Sequence, residues 1–187
     1  MGSNAVRFFL EHYPDCTITN LDALTYAGNP ENLRDVESDP RYAFVHGRIE
    51  DEALVEKVFS EFEPDVVINY AAETHVDRSI MEPRAFLTTE IFGTHTLLEA
   101  VRRHGTSRYL QISTDEVYGS IEEGVFTEGS CFEPNSPYSA AKAGADHLCR
   151  AYWKTYQTPV IVTHSCNFYG PYQYPENMLP LFITNLL

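Results

Sequence analysis

The sequence has few cysteines and no long uninterrupted apolar run. Its four cysteines are widely spaced, with no Cys-x-x-Cys pair or other spacing typical of zinc ligands, so we expect reduced, partly buried thiols and no metal site. No stretch approaches the ~20 apolar residues that a membrane-spanning helix needs, and the N-terminus has no signal-peptide core. We therefore expect a cytoplasmic protein that does not bind a membrane.

Basic charge is also scarce. Lysine and arginine number 13 against 27 aspartates and glutamates, which gives a formal net charge of −14. Such an excess of negative charge disfavours nucleic acid as a partner, since a polyanion would have to overcome the field of the whole molecule. With 187 residues and 43% apolar side chains, the chain has the size of about one large domain with a real core.

Helical and strand patterns alternate along the chain. Helical patterns cover residues 1–13, 51–62, 83–104 and 137–156, and another begins near residue 178. Strand patterns cover residues 16–21, 41–47, 65–72, 108–113 and 159–166, of which 65–72 has the continuous apolar character of a strand buried on both faces. This alternation predicts parallel β-α-β units and an α/β fold with a doubly wound, Rossmann-like parallel sheet.

Two adjacent carboxylates, Asp115 and Glu116, follow a predicted strand and Thr114 directly. Ligands of doubly wound sheets bind outside the carboxyl ends of the strands. The loop that continues from this pair is longer than about 12 residues, and such loops in compact domains are usually functional. The pair is therefore either an acid and a base held at a ligand site or ordinary solvated charge on a loop.

A tyrosine and a lysine, Tyr138 and Lys142, stand four residues apart near the start of a predicted helix. This spacing places both side chains on one helical face, where an ammonium can stabilise a phenolate. A tyrosine with a lowered pKa can act as a base near neutral pH. Taken alone, the pattern also occurs by chance in many helices.

Five stretches together are more specific than either pattern alone. They read NLDALTYAGN, AAETHVDRSI, STDEVYG, SPYSAAKAGADH and NFYGPYQYPEN. On these stretches, and over essentially all 187 residues, the sequence resembles the extended short-chain dehydrogenase/reductase family, and within it the nucleotide-sugar 4,6-dehydratases.

The resemblance implies a redox cycle on a nucleotide-diphospho-hexose with NAD as cofactor. Tyr138, assisted by Lys142 and Thr114, would take the proton of the sugar 4-hydroxyl while C4 gives a hydride to NAD. Glu116 would then remove the C5 hydrogen, and Asp115 would protonate the departing 6-hydroxyl. A nucleotide-sugar epimerase, or another sugar-nucleotide dehydratase, stays an alternative, as does an inactive truncated homologue that serves only as a dimerising scaffold. An epimerase needs the tyrosine and lysine but no elimination, so the carboxylate pair favours the dehydratase.

The resemblance also implies ligand-binding residues. Those for NAD are Gly2, Asp22, Thr25, Ile49, Tyr70, Ala71, Ala72 and Thr89, together with Tyr138 and Lys142. Those for the substrate are Thr74, Asn167, Glu176 and Asn177. Asp22 ends a predicted strand about 20 residues after Gly2, where an acidic side chain accepts from ribose hydroxyls and favours NAD over NADP.

In the family, a strand and a glycine-rich turn precede the position of Gly2, and a smaller domain follows the last helix. We therefore expect residues 1–166 to be an NAD-binding domain that is incomplete at its N-terminus, and residues 167–187 to begin a substrate-binding region. Without the family's first strand, the strands at 16–21 and 65–72 lack a shared partner, and each buried unpaired backbone group costs roughly 1–3 kcal/mol. We expect this chain alone to be unstable or to bind NAD poorly; tight NAD binding by the purified 187-residue chain would contradict this.

The resemblance further implies a homodimer joined through the helices at 83–104 and 137–156. At five positions the sequence departs from the family pattern: Arg48 replaces an Asp, Glu90 an Asn, His164 an Arg, Phe168 an Asn and Asn177 a Lys. None of these changes removes a residue of the expected chemistry.

Overall fold

A computed structural model describes all 187 residues of the chain. Seven α-helices and five β-strands alternate along it. The helices are α1 (Gly2–His12), α2 (Glu52–Phe62), α3 (Val76–Met81), α4 (Pro83–Leu87), α5 (Thr94–His104), α6 (Pro137–Tyr156) and α7 (Met178–Leu186). The strands are β1 (Ile18–Asp22), β2 (Tyr42–His46), β3 (Val66–Asn69), β4 (Arg108–Thr114) and β5 (Val160–Ser165).

All strand pairs are parallel, as predicted from the alternation. β1 pairs with β2, and a separate sheet has the order β3-β4-β5, with Leu110 of β4 opposite Ile68 on one side and Ile161 on the other. β1 and β3 therefore lie at sheet edges and share no partner.

The chain folds into two compact units. The smaller unit comprises residues 1–47 and 167–187, and the larger unit comprises residues 48–166. The division at residue 166 into a cofactor domain and a substrate region stays a prediction, because compactness alone does not assign a ligand to either part.

The core of the larger unit lies between the three-stranded sheet and the helices that connect its strands. Tyr109 of β4, Leu98 of α5, Ala145 of α6 and Val55 of α2 are almost fully buried there. Asp51 caps α2 by accepting from the amide of Leu54, as expected from an Asp at the start of the helical stripe. None of the helices is long and apolar enough to cross a membrane.

Two predicted elements differ from the structure, and one helix has no counterpart among the predictions. The predicted strand at 65–72 ends at Asn69, because the Asn69 side chain accepts from the amide of Ala71 (3.1 Å) and turns the chain. It is not buried on both faces either, since Val66 is 52% exposed at the edge of the sheet. The predicted helix at 83–104 is interrupted by a π-helical segment, Thr88–Gly93. The short helix α3 was not predicted.

The ends of the interrupted helix follow the sequence signals. Pro83 stands in the first turn of α4, and Gly105 closes α5 with a left-handed φ of +67°. The four cysteines are free thiols, of which Cys149 is buried, while Cys131 and Cys166 are exposed rather than partly buried.

Candidate active site

The carboxylate pair follows the central strand of the three-stranded sheet. β4 ends at Thr114, and a 3-10 helix, Asp115–Tyr118, begins at the next residue. The Thr114 hydroxyl caps this short helix by accepting from the amide of Glu116 (3.3 Å). The sequence Thr-Asp-Glu is thus held at the carboxyl end of the strand, the position where such sheets bind ligands.

The two carboxylates have different surroundings. Asp115 is half-buried, whereas Glu116 is exposed on one side. Partial burial raises the pKa of the Glu116 carboxyl, and the neighbouring charge of Asp115 raises it further. Glu116 is therefore a stronger base than an ordinary carboxylate, which suits the removal of a proton.

A glycine fixes the path of the chain after the pair. Gly119 ends the 3-10 helix with a φ of +86°, and a Cβ at this position would collide with the carbonyl oxygen of Glu133. The amide of Glu133 donates to the carbonyl of Val117 (3.0 Å), and the Tyr118 ring stacks on Phe126. The long loop is thus anchored against the residues that follow the pair.

The tyrosine lies in the first turn of α6, whose bounds are as predicted. Ser136 and Ser139 cap each other's backbone at the start of this helix in a capping box, with Pro137 at its first position. The Tyr138 ring is largely covered and packs edge-on against Phe86 of α4 (6.2 Å between ring centroids). Local capping thus fixes where the phenol stands relative to the helix.

The charges around Tyr138 show which predicted residues are close to it. Burial raises the pKa of Tyr138 strongly, and the charges of Glu90 and Glu116 raise it further. A hydrogen bond with Thr114 lowers this pKa, while Asp115 adds a smaller increase. The structure therefore brings Thr114 and both carboxylates of the pair near the phenol.

Lys142 has a different partner from the expected one. Its ammonium is buried, with Nζ 3.0 Å from Oε2 of Glu90, and it also donates to the carbonyl of Ile112 (3.3 Å). The expectation that Lys142 lowers the pKa of Tyr138 stays a prediction: the ammonium is paired with a carboxylate, and burial, followed by the charges of Glu90 and Glu116, raises the pKa of the phenol. The roles of these residues in a reaction stay predictions.

Glu90 comes from the π-helical segment that interrupts the predicted helix. It is 0% exposed, and burial raises its pKa, while the charge of Lys142 opposes this increase. Gly93 ends the same segment against Ile49, whose Cδ1 would lie 2.5 Å from a Cβ at that position. A π-helical turn at such a place is common at functional sites.

Apart from Tyr138 and Lys142 of α6, the predicted cofactor and substrate residues of the larger unit lie before α2, after β3 and on the π-helical segment. Ile49 and Thr89 are buried, and Thr74 is exposed. Tyr70, Ala71 and Ala72 are half-buried in the stretch that follows β3, and burial raises the pKa of Tyr70. Their assignment to NAD and to the sugar stays a prediction.

The remaining predicted ligand residues belong to the smaller unit. Asp22 is exposed at the last position of β1, and one of its carboxylate oxygens accepts from the amide of Leu24 (2.8 Å). The carbonyl of Thr25 accepts from the amide of Gly28 (2.8 Å), and Gly2 is the first residue of α1.

The three predicted substrate residues of this unit lie in the stretch between β5 and α7. Glu176 accepts from the hydroxyl of Tyr26 (2.7 Å). Asn167 and Asn177 are exposed, and Asn177 precedes the first turn of α7 without a capping hydrogen bond from its side chain.

The sequence patterns gave no sign of a second polar network beside Lys142. The Asp146 carboxylate of α6 accepts from the Ser113 hydroxyl (2.7 Å), and the same oxygen lies 3.0 Å from Nε2 of His164. The other ring nitrogen of His164 lies 2.8 Å from the hydroxyl of Tyr118. Ser113 and His164 are opposite each other in the pairing of β4 with β5, so only the strand register reveals this contact. No cluster of three or more His, Cys, Asp or Glu residues has the arrangement of a metal site.

Curated relatives resemble the chain along its whole length. The dTDP-glucose 4,6-dehydratase of Salmonella typhimurium is 45% identical over 206 residues, which cover 100% of this chain and 57% of that protein. The chain thus spans somewhat more than half the length of this relative.

Solved structures share the fold. DesIV of Streptomyces venezuelae, a dTDP-glucose 4,6-dehydratase crystallised with NAD and TYD bound, is 49% identical with a TM-score of 0.93, covering 99% of this chain and 58% of that one. The UDP-glucose 4-epimerase of Thermus thermophilus, in complex with NAD, is 29% identical with a TM-score of 0.86, covering 98% of this chain and 57% of that one. These likenesses confirm the Rossmann-like α/β fold, and the identities place the chain nearer the dehydratase than the epimerase.

A family profile also matches the whole chain. The profile described as GDP-mannose 4,6 dehydratase covers residues 1–187. The predicted resemblance to nucleotide-sugar 4,6-dehydratases is thereby confirmed, and the chain belongs to the GDP-mannose 4,6 dehydratase family.

Proposed function

We propose that the protein carrying this chain is an NAD-dependent dTDP-glucose 4,6-dehydratase, which converts dTDP-glucose to dTDP-4-keto-6-deoxyglucose. The observation that carries the proposal is the Asp115 and Glu116 pair, held at the carboxyl end of β4 by Thr114 and near the phenol of Tyr138. The names of the similar proteins support the same substrate, and the NAD in their crystal structures supports the same cofactor.

The residues present fit NAD at the end of β1. Asp22 presents an exposed carboxylate at the carboxyl end of parallel strand β1, and only one of its oxygens takes part in the turn with Leu24. Such a carboxylate suits the hydroxyls of the adenosine ribose. When bound, NAD would accept a hydride from C4 of the sugar and later return it to C6.

The chain's own residues supply the proton transfers. Tyr138 exchanges a proton with the sugar 4-oxygen, and Thr114 donates a hydrogen bond at the same place. The 4-keto group acidifies the C5 hydrogen, which Glu116 removes with its raised pKa. Asp115 gives a proton to the 6-oxygen, which leaves as water, and a proton returns to C5 at the end of the cycle.

The proposal extends to the organisation of the protein. Residues 1–166 form the NAD-binding part and residues 167–187 begin the substrate-binding part, with Thr74, Asn167, Glu176 and Asn177 as substrate contacts. The protein works in the cytoplasm as a homodimer joined through the helices at 83–104 and 137–156. Exposed apolar side chains on these helices support the dimer: Leu87, Phe92, Trp153 and Tyr156.

Product analysis in deuterated water tests the proposal and separates it from an epimerase. The protein at its natural length is incubated with dTDP-glucose and NAD, and the product is examined by mass spectrometry and NMR. We expect loss of water and one solvent deuterium at C5, because the proton that returns there comes from a side chain in exchange with solvent. A 4-epimer without water loss or deuterium would contradict the proposal, and no conversion at all would favour the inactive scaffold.

Two variants test the carboxylate pair. We expect Glu116→Gln and Asp115→Asn each to lower kcat at least about 100-fold, the usual contribution of a positioned acid or base. Because oxidation at C4 precedes the elimination, both variants should still form NADH on mixing with substrate. Glu122→Gln, on the exposed loop after the pair, is the control and should react like the unmodified protein. Unchanged turnover in both pair variants would contradict the proposed roles.

A further inference from the structure

The buried ion pair between Glu90 and Lys142 has no place in the expected chemistry. Glu90 is 0% exposed and Lys142 is 4% exposed, and their charged atoms lie 3.0 Å apart. A neutral residue at position 90 would leave the buried lysine without a counter-charge.

The pair changes the electrostatics around the phenol of Tyr138. The charged and titratable groups that face Glu90 are Lys142 and Asp146 of α6, Tyr138 of the same helix, and Tyr109 of β4. From the loop after β3, the backbone amide of Glu73 also interacts with the Glu90 carboxylate. Lys142 is the single cation of this set, and Glu90 compensates its charge.

The charge of Glu90 disfavours a phenolate at Tyr138, and the lysine four residues further along the same helix is already paired with Glu90. On the side of the carboxylate pair, Glu116 and Asp115 also disfavour a phenolate. The ammonium of Lys142 has two partners that fix its position, the carboxylate of Glu90 and the carbonyl of Ile112.

We propose that Glu90 is a positioning residue that holds and neutralises Lys142, so that Tyr138 loses its proton only at a higher pH than it would with a neutral residue at position 90. The inference deepens the proposed function, since it concerns the tyrosine that acts on the sugar 4-hydroxyl. It describes the protein's own residues, however, and is measured without NAD or substrate.

The test is a pH titration of Tyr138 in the NAD-free protein at its natural length. Tyrosine labelled with ¹³C at Cζ is followed by NMR, and the Tyr138 signal is assigned by its loss in Tyr138→Phe. In the unmodified protein we expect no ionisation of Tyr138 at or below the ordinary tyrosine value of about 10. In Glu90→Gln the midpoint should fall by about 1 pH unit or more, because the uncompensated ammonium favours the phenolate.

Two variants control for charge and for position. Glu90→Asp keeps the negative charge and should keep the high midpoint. Glu99→Gln removes a carboxylate from α5 that pairs with Arg102, and it should leave the Tyr138 midpoint unchanged. A purely structural role of the ion pair would lower the melting temperature of Glu90→Gln without moving the Tyr138 titration.

A second background shows whether Glu90 acts through Lys142. In Lys142→Met, a buried Glu90 has no cation to keep it ionised, so adding Glu90→Gln should leave the Tyr138 midpoint unchanged. A shift of similar size in this background would overturn the proposal, as would a folded Glu90→Gln with an unchanged midpoint. Should Glu90→Gln fail to fold, Lys142→Met is compared with the unmodified protein. A lysine that Glu90 neutralises predicts an unchanged Tyr138 midpoint, whereas a rise of about 1 pH unit would show that Lys142 still favours the phenolate and would overturn the proposal.

The titration and the product assay fail independently. If the midpoints behave as expected but no dehydrated sugar forms, the inference about Glu90 stands and the proposed function falls. If dehydration is observed but the midpoints do not move, the proposed function stands and Glu90 has only a structural role.

Discussion

The ammonium of Lys142 on α6 pairs with the carboxylate of Glu90, which belongs to a different element, the π-helical segment. The four-residue spacing along α6 predicts that Lys142 and Tyr138 share a helical face. It does not predict which charged groups lie beside them. Which group neutralises the lysine depends on the segment packed against that face, and here this segment carries Glu90. The spacing alone therefore does not fix the pKa of Tyr138, which is raised here by burial first and then by the charges of Glu90 and Glu116.

A second residue with a strongly shifted pKa gives a prediction for acid stability. Hydrogen bonds from Arg102 and from Tyr152 lower the pKa of Glu99 from 4.5 to about 2. A lowered carboxyl pKa stabilises the folded state above the unfolded value, and this contribution is lost as the pH falls towards the folded value. As the pH falls from 4.5 to about 2, we expect the free energy of unfolding of Glu99→Gln to decrease by about 1 kcal/mol less than that of the unmodified protein. The difference is small because solvent screens a partly exposed pair.

Urea unfolding at several pH values between neutral and acidic measures this difference. Glu123→Gln, on an exposed loop, serves as the control and should follow the unmodified protein. If Glu99→Gln and the unmodified protein lose stability in parallel down to the lowest pH at which both fold, Glu99 does not contribute in the way its contacts suggest.

At the scale of elements, two short irregular helices place the residues of the site. The 3-10 helix after β4 turns Asp115 and Glu116 out at the end of the strand, and the π-helical segment between α4 and α5 buries Glu90. Each depends on a glycine at its end, Gly119 in one case and Gly93 in the other, where a larger residue would meet a neighbouring segment. These elements are set by close packing rather than by helix propensity.

A pair of glycine variants separates backbone strain from collision. Gly105 and Gly119 both have positive φ, but a Cβ at Gly105 meets nothing within 4 Å, whereas one at Gly119 collides with the Glu133 carbonyl. We expect Gly105→Ala to lower the free energy of unfolding by about 1 kcal/mol, since it adds backbone strain alone. Gly119→Ala should cost at least about 1 kcal/mol more, because the loop must also move.

Chemical denaturation of both variants provides the comparison. Equal losses would show that the loop carrying Glu133 gives way without cost, and that Gly119 is needed only for its φ. A larger loss in Gly105→Ala would contradict the assignment of close contact to Gly119.

At the scale of the whole molecule, a net charge of −14 and an exposed apolar helix surface have opposite effects on association. The charge favours separate molecules through repulsion, while contiguous exposed apolar side chains favour contact with another protein surface. The proposed dimer requires the second effect to dominate along the helices at 83–104 and 137–156. It also implies that association strengthens as salt screens the repulsion.

One substitution on these helices tests the dimer. Phe92 is 62% exposed on the π-helical segment, and Phe92→Glu would place a charge in the proposed interface. We expect light scattering with size-exclusion chromatography to show a shift from dimer to monomer at equal concentration, since an unpaired buried charge is costly. Val125→Glu, at an exposed apolar residue of the long loop, should leave the dimer intact. A dimeric Phe92→Glu protein would place the interface elsewhere.

Local signals were enough for several elements of the site. Ser136 and Pro137 mark the start of α6, Gly105 marks the end of α5, and the Thr-Asp-Glu sequence marks the end of β4. The strand at 65–72 and the helix at 83–104 were less well predicted, because an Asx turn at Asn69 and a π-helical turn around Glu90 leave the apolar pattern unchanged. A periodicity of side chains carries no information about such local changes in backbone hydrogen bonding.

The amino-acid sequence alone is enough for the α/β alternation and the Thr114, Tyr138 and carboxylate motifs, because each depends on residues close together in the chain. It is also enough for the membership in a dehydratase family, because that rests on side-chain identities along the whole chain. The pairing of Lys142 with Glu90, and the contacts of Asp146 with Ser113 and His164, become visible only in the folded protein. These contacts connect residues from different elements, and strand register and helix packing, rather than spacing along the chain, bring their charges within bonding distance.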